Sequence, residues 1–148
     1  MPLTGTYVPG GPDWARDQAE TYEATNGREA GFLEGRPIIV LTYLGAKSGN
    51  LRKVPLMRVE HLGSYAILAS NAGKPKHPTW YSSVVKNPHV ELQDGGARGD
   101  FFAHEAEGEE REHWWKQAVE AWPDYEKYII GLERRIPMFV LSPLPIKE

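Results

Sequence analysis

The hexapeptide Gly45-Ala46-Lys47-Ser48-Gly49-Asn50, with Arg52 just beyond it, brings together the means of holding an anion: two glycines, an ammonium, a hydroxyl and a guanidinium. Glycine takes a positive φ without steric penalty. Gly45 and Gly49 can therefore leave backbone N–H groups open to a ligand, while Lys47, Ser48 and Arg52 surround them with donors and charge. Taken alone, a Gly-x-Lys-Ser-Gly loop equally fits a solvated hairpin tip that happens to carry a lysine. Charge distribution favours the anion site. Between Gly35 and Val90, eight Lys or Arg (Arg36, Lys47, Arg52, Lys53, Arg58, Lys74, Lys76, Lys86) meet one acid, Glu60, so this segment carries +7 in a chain of net charge −3, leaving −10 on the flanks. A basic middle inside acidic flanks fits a discrete site for a small polyanion and argues against general binding to nucleic acid.

Most other chemistries lack their residues. The chain has no cysteine, which removes disulfides, zinc–thiolate sites, iron–sulfur clusters and thiol nucleophiles, and accords with a reducing compartment. There is no GxGxxG after a strand, no P-loop, no HExxH and no GxSxG elbow. Ser48, Ser70, Ser82 and Ser83 have no histidine at an obvious partner spacing, and paired carboxylates are missing from the basic middle. His77 has no second histidine or carboxylate at metal-ligand spacing, so no metal site is expected. An anion cradle, basic strands and a supply of Trp and Tyr remain. That set suits an aromatic cofactor with a phosphate-bearing tail, which the protein orients and which supplies the chemistry itself.

The elements that must position these residues are short. With 148 residues, 12 prolines, 15 glycines and 11% aromatics, the sequence predicts one domain (1–148) of α+β class with many turns, large enough for a core without disulfides or metal. Met1 to Pro12 reads as an extended or mobile arm. Asp13 is placed to cap a helix over 13–27 that carries Trp14, Ala15, Ala19 and Tyr22 and ends at Asn26-Gly27, covering the barrel surface or a ligand. Ile38 to Leu44 and the stretch with Val54, Leu56 and Val59 form a β-hairpin around the hexapeptide, and Ser64 to Ser70 a third strand. The Gly/Pro loop from Asn71 leads through Pro78 into a helix that ends at Asn87-Pro88. His89 to Gln93 and Phe101 to Ala106 are further strands joined by Asp94 to Gly99, which gives the count of a small barrel over 36–107. Helices follow over 109–133, the first with Trp115, Ala118, Val119 and Trp122 inward, and Ile136 to Leu141 closes the fold as a strand. Helical spacing alone accounts for Trp114, Trp115 and Trp122 as packing residues. No run approaches the roughly 18 apolar residues of a membrane span, and no secretory leader is evident at the start, so a cytoplasmic protein is expected.

The run from Gly45 to Leu56 (GAKSGNLRKVPL), then Ala69-Ser70-Asn71-Ala72-Gly73, Pro78-Thr79-Trp80-Tyr81 and Asn87-Pro88, closely resembles the deazaflavin-dependent nitroreductase family. Trp122-Pro123-Asp124-Tyr125-Glu126-Lys127-Tyr128 and Ile136-Pro137-Met138 resemble the C-terminal end of the same family, so the likeness spans roughly residues 36 to 141. The resemblance implies a split β-barrel, related to FMN-binding oxidases, that binds reduced coenzyme F420 and passes its hydride to quinones, nitroaromatics or other electron-poor acceptors. It implies that Lys47, Ser48, Gly49 and Arg52 hold the phosphate and the anionic lactyl-glutamate tail. Pro55, Leu56 and Met57 would line the deazaflavin ring with their backbone and side chains, and Ser70, Asn71, Ala72 and Trp80 would complete the pocket. Tyr125 and Tyr128 would face the acceptor and donate a hydrogen bond or proton. Three departures separate this chain from the nitroimidazole-reducing relatives. Asn71 stands where a lysine is usual, Met57 where an aromatic ring is common, and Gly131 near the place of a third C-terminal aromatic. They bear on the acceptor, and reduction of nitroimidazole prodrugs is not implied. The residues also accommodate an FMN enzyme on the same barrel, or a non-catalytic module for a deazaflavin or haem. Monomer and homodimer both remain open, as does peripheral contact with a membrane if the acceptor is a lipid quinone.

Overall fold

Branched and aromatic side chains from Ile38 to Leu44 favour extended backbone, and this run becomes the central strand of the protein. The computed structural model describes residues 3–9 and 12–144. Its strands are β1 (Phe32–Leu33), β2 (Arg36–Leu44), β3 (Leu51–Met57), β4 (Glu60–His61), β5 (Ser64–Leu68), β6 (His89–Asp94), β7 (Ala97–Glu105) and β8 (Met138–Pro143). Its helices are α1 (Asp13–Ala24), α2 (Trp80–Lys86), α3 (Gly108–Ala121) and α4 (Asp124–Ile130). The sheet runs β1-β2-β6-β7-β8-β5-β4, antiparallel throughout, with β3 on the other side of β2 from Leu44↔Leu51 to Ile38↔Met57.

One short corner turns this sheet into a split barrel. The Arg58 N–H donates to the Pro37 carbonyl at 3.1 Å and prolongs the pairing of β3 with β2. The next residue faces the opposite end of the sheet, where the Val59 carbonyl accepts from the Ala66 N–H at 2.9 Å. Before this corner β3 pairs with β2, and after it β5 pairs with β4 and β8; β3 and β5 do not pair with each other among the described residues. The gap between them is the split.

Among the described residues, three apolar clusters form the core. Ile39, Leu41, Ile67, Trp80, Val84 and Phe139 belong to the barrel interior. Trp114, Ala118, Trp122 and Tyr125 of α3 and α4 pack on Leu68 and Met138. Ala19 and Tyr22 of α1 cover Ile38 and Val40 on the outside. Each fully buried Leu, Ile or Val side chain contributes about 1.5–3 kcal/mol.

Several expectations shift. Pro12, in extended backbone, precedes α1, and Asp13 sits in its first turn without capping it. Trp14 is 57% exposed, because helical periodicity turns Ala19 and Tyr22 to the barrel instead. The helix does leave through left-handed Asn26 and Gly27, whose N–H reaches back to the Tyr22 carbonyl at 2.8 Å. On α3 the buried ring is Trp114, with Trp115 only half-buried. The connection expected over Asp94 to Gly99 shrinks to a turn at Gly95-Gly96, since Asp94 already pairs with Ala97. Of the N-terminal arm, residues 1–2 and 10–11 lie outside the described residues. Thr6 and Val8 are docked rather than free: the Thr6 carbonyl accepts from Leu51 N–H at 2.8 Å, and Val8 N–H donates to the Leu51 carbonyl at 3.0 Å.

The corner is braced by charge. Arg58 Nε donates to both carboxylate oxygens of Asp94, at 3.0 and 2.9 Å, and the Tyr65 hydroxyl donates to the same carboxylate at 2.6 Å. Burial, and then this hydrogen bond, push the Tyr65 phenol pKa up, so it remains a donor at any ordinary pH. Asp94→Ala leaves two donors without their acceptor and is expected to cost about 1–3 kcal/mol in urea unfolding. A variant of parental stability would show that the corner is held by other contacts.

Candidate functional site

The split has two walls of backbone. On one wall, both the N–H and the carbonyl of Leu51 turn to the arm and so away from β2. The period of a strand gives Lys53, Pro55 and Met57 the same orientation. Their carbonyls, and the N–H groups of Lys53 and Met57, thus lie on an edge that no strand covers among the described residues. Pro55 removes no ladder bond at this position, which explains how a proline sits in the middle of a strand. On the facing wall the Ala69 N–H donates to Pro137 at 2.8 Å, toward β8, whereas the Ala66 N–H points to Val59 on the other side. By the same alternation the N–H of Ser70 faces the split.

Beyond Ser70 the backbone changes hand. Ser70 is right-handed (φ −78°, ψ −32°), Asn71 left-handed (φ 50°), Ala72 left-handed (φ 53°, ψ 32°) and Gly73 likewise (φ 80°). A right-then-left sequence makes successive N–H groups converge into a concavity suited to an anion or a carbonyl oxygen. The N–H groups of Ser70, Asn71 and Ala72 donate to no acceptor among the described residues. Left-handed backbone costs about 1–2 kcal/mol at each non-glycine residue. Local bonds oppose that cost: Gly73 N–H to Ser70 and Lys74 N–H to Asn71, both 3.0 Å, and Asn71 Nδ2 to the Lys76 carbonyl, also 3.0 Å.

Cations gather at the hairpin tip and in the loop after Gly73. Lys53 is paired with Glu23, and Arg58 with Asp94. Lys47, Arg52, Lys74, Lys76 and Lys86 have no carboxylate within ion-pairing distance among the described residues. The tip differs from its expected form. Gly45 N–H donates to Asn50 at 2.8 Å and Gly49 N–H to Gly45 at 3.0 Å, so these amides close the loop and are not open to a ligand. Ala46 is tied to α2 through Ser83 Oγ and Lys86 Nζ, each at 3.0 Å. The tip offers side chains instead, with Lys47 and Ser48 exposed. Arg52 uses Nη1 to hold the arm, donating to Val8 at 2.9 Å and Pro9 at 3.1 Å, while Nε and Nη2 keep their protons unpartnered among the described residues.

Strand alternation revises two further assignments. Leu56 lies opposite Ile39 and packs with the interior cluster, whereas Met57 joins the cluster under α1. The side chains of Pro55, Leu56 and Met57 cannot line one ring together; their strand offers its backbone edge. Trp80 is 4% exposed and packs 6.1 Å from Phe139, so it builds the barrel interior rather than a pocket wall. Ser70, Asn71 and Ala72 do stand on the facing wall. Above them, the Tyr128 ring rests on Gly73 so closely that a Cβ there would lie 3.0 Å from it. Its hydroxyl accepts a hydrogen bond from Trp122 Nε1 at 3.1 Å, which leaves the phenol proton free to be donated elsewhere. Tyr125 is 5% exposed and packs edge-on against Tyr128 at 6.0 Å. Burial, and then Tyr128, push the Tyr125 pKa up, and its hydroxyl has no partner among the described residues. Arg134 also reaches this wall, donating to the Ser70 carbonyl at 2.6 Å. Nothing in its sequence neighbourhood signals that contact, since the two residues are 64 positions apart and are brought together by the pairing of β5 with β8 and the packing of α4 on the turn.

Comparison with known proteins gives this architecture relatives. The family model described as F420H(2)-dependent quinone reductase matches residues 14–143. A Mycobacterium tuberculosis protein assigned by name to the F420H(2)-dependent quinone reductases, Rv3178, is 31% identical over 114 residues, 77% of this chain and 96% of that protein. Among solved structures, an F420-H2 dependent reductase superposes with a TM-score of 0.69 at 56% identity, over 72% of this chain and 95% of its own. A structure described as a domain-swapped dimer superposes with a TM-score of 0.71 at 50% identity, over 88% of this chain and 98% of its own.

The contact of Gly73 with Tyr128 can be tested against a neutral glycine. Gly49 also has positive φ (70°), but a Cβ there meets nothing within 4 Å. Gly49→Ala is expected to cost about 1–2 kcal/mol from backbone strain alone. Gly73→Ala adds displacement of the Tyr128 ring and should cost measurably more; equal losses in urea unfolding would mean that the ring moves freely.

Proposed function

Because the chain belongs to the F420H(2)-dependent quinone reductase family, we propose that it binds coenzyme F420 across the split and reduces a quinone, or another electron-poor acceptor such as a nitroaromatic, by hydride transfer. The observation that carries this reading is the pair of backbone walls with unpaired N–H and C=O groups, accompanied on the flanking segments by five cations that have no carboxylate partner among the described residues. The donor set fits the group. A deazaflavin edge alternates carbonyl and N–H functions, which suits the strand edge at Lys53, Pro55 and Met57 and the N–H concavity at Ser70, Asn71 and Ala72. A phosphodiester with a glutamate tail calls for cations, and Lys47 and Arg52, with the Ser48 hydroxyl beside them on a loop turned by Gly49, supply them. The reduced deazaflavin, when bound, supplies the hydride.

What the chain itself contributes is placement and a proton. Hydride delivery leaves negative charge on an acceptor oxygen, so a donor aimed at that oxygen lowers the barrier. Tyr128, with its oxygen already engaged by Trp122, is the better-oriented donor, and Tyr125 keeps its own proton in a buried setting. Among the described residues no helix is long and apolar enough to cross a membrane.

Cofactor choice is tested by fluorescence titration. F420 is expected to bind at least about tenfold tighter than FMN, roughly 1.4 kcal/mol, because its tail adds anionic groups for the tip. Lys47→Ala should weaken F420 binding by about tenfold or more at unchanged melting temperature, and Lys116→Ala, on the acidic flank, should leave it as it was. Equal affinity for FMN and F420 would turn the reading to the flavin enzyme, and F420 binding without turnover would turn it to a carrier. For the chemistry, Tyr128→Phe should lower kcat with menadione by about tenfold while F420 affinity stays within about threefold, since the lost hydrogen bond belongs to the transition state. Parental turnover in Tyr128→Phe, Tyr125→Phe and the double variant would assign the proton to solvent.

A further inference from the structure

The left-handed turn at Asn71–Gly73 has a clamp behind it. Arg134 Nη2 donates to the Ser70 carbonyl at 2.6 Å, Nε to the Lys74 carbonyl at 3.1 Å, and Nη1 to the Ala69 carbonyl at 3.1 Å and to His77 Nδ1 at 3.0 Å. No carboxylate pairs with this guanidinium among the described residues, whereas the next residue, Arg135, is paired with Glu107 at 2.8 Å. Arg134 thus spends its donors on backbone carbonyls and one imidazole. A guanidinium is the side chain that can do so, since it alone fixes five N–H donors in one plane, while an ammonium offers three donors from a single point. His77 in turn packs against the Tyr81 ring, with centroids 4.6 Å apart and the planes tilted by 41°.

The direction of these bonds gives them a role. Ala69 turns its carbonyl toward β8, from which side Arg134 approaches, and the alternation of the chain sends the Ser70 N–H the other way, into the split. Carbonyls gathered on one side of a turn leave its amides directed to the other. We propose that Arg134 is a positioning residue: from behind the wall it holds Ser70, Asn71 and Ala72 with their N–H groups toward the cofactor, and keeps Gly73 under the Tyr128 ring. The inference rests on the cofactor reading above, but the loop geometry it describes is measurable without any ligand.

The test measures amide hydrogen exchange of the unliganded protein and F420 affinity together. In Arg134→Ala, exchange at Gly73 and Lys74, whose N–H groups close the turn, should accelerate by about tenfold or more while exchange in β2 and β6 stays parental. F420 binding should weaken by about tenfold, and millimolar methylguanidinium should restore much of it by refilling the vacated site. Arg134→Lys keeps the charge but should recover less than the free guanidinium does. Lys47→Ala serves as the contrast: weaker F420 binding, parental exchange at Gly73 and Lys74, and no rescue. Parental exchange and affinity in Arg134→Ala would overturn the inference, as would loss of affinity that methylguanidinium leaves unrepaired. If the parent itself fails to bind F420, the cofactor reading falls, and exchange at Gly73 and Lys74 still decides the clamp.

Discussion

A β-sheet that curls without closing must leave backbone groups on two edges, and where those edges fall decides what the protein can hold. Here the curl depends on Arg58 and Val59, consecutive residues that bond to opposite ends of the sheet. The corner joins the ends at one point only, and from it β3 and β5 diverge. Unpaired N–H and C=O groups are costly when they are shielded from water without partners, so such edges survive only where solvent or a ligand satisfies them. The split is therefore a demand for hydrogen bonds as well as a space.

The helices serve this arrangement from outside. Glu23 of α1 neutralises Lys53 on β3, and Ala19 and Tyr22 press on β2, so the strand that forms one wall is fixed along its outer face. α4 meets the other wall through Tyr128 and Gly73. Charge is sorted by the same logic: cations beside structural acids are paired, and those at the tip and the 74–76 loop are left without carboxylates. Sorting of this kind leaves positive potential at the tip and along this loop.

The strands with a strong apolar signal were legible in the sequence, and so were the hairpin, the helix exit at Asn26-Gly27 and the order of elements, because branched runs and turn residues act locally. What depended on the direction in which individual groups point was not. The glycines of the tip looked like open donors, yet their amides close the loop on Asn50 and Gly45. Pro55, Leu56 and Met57 looked like one lining, but strand alternation divides them between two faces. Trp80, surrounded by site-like residues in sequence, fills the interior. Two-residue strands such as β1 and β4 carry no periodic signal at all, and Arg134 meets its partners only through pairing that tertiary structure creates.

Pro55 has a consequence for what the open edge of β3 refuses. An uncovered strand edge normally invites a strand from another molecule, which is the route to aggregation. Such a strand needs a continuous ladder, and Pro55 removes the middle donor from the three outward positions at Lys53, Pro55 and Met57. A flat ring makes only a few contacts and does not need that donor. By this count of hydrogen bonds the edge is a poor template for an added strand, and a single imino acid sets that limit while leaving the outward groups of Lys53 and Met57 in place.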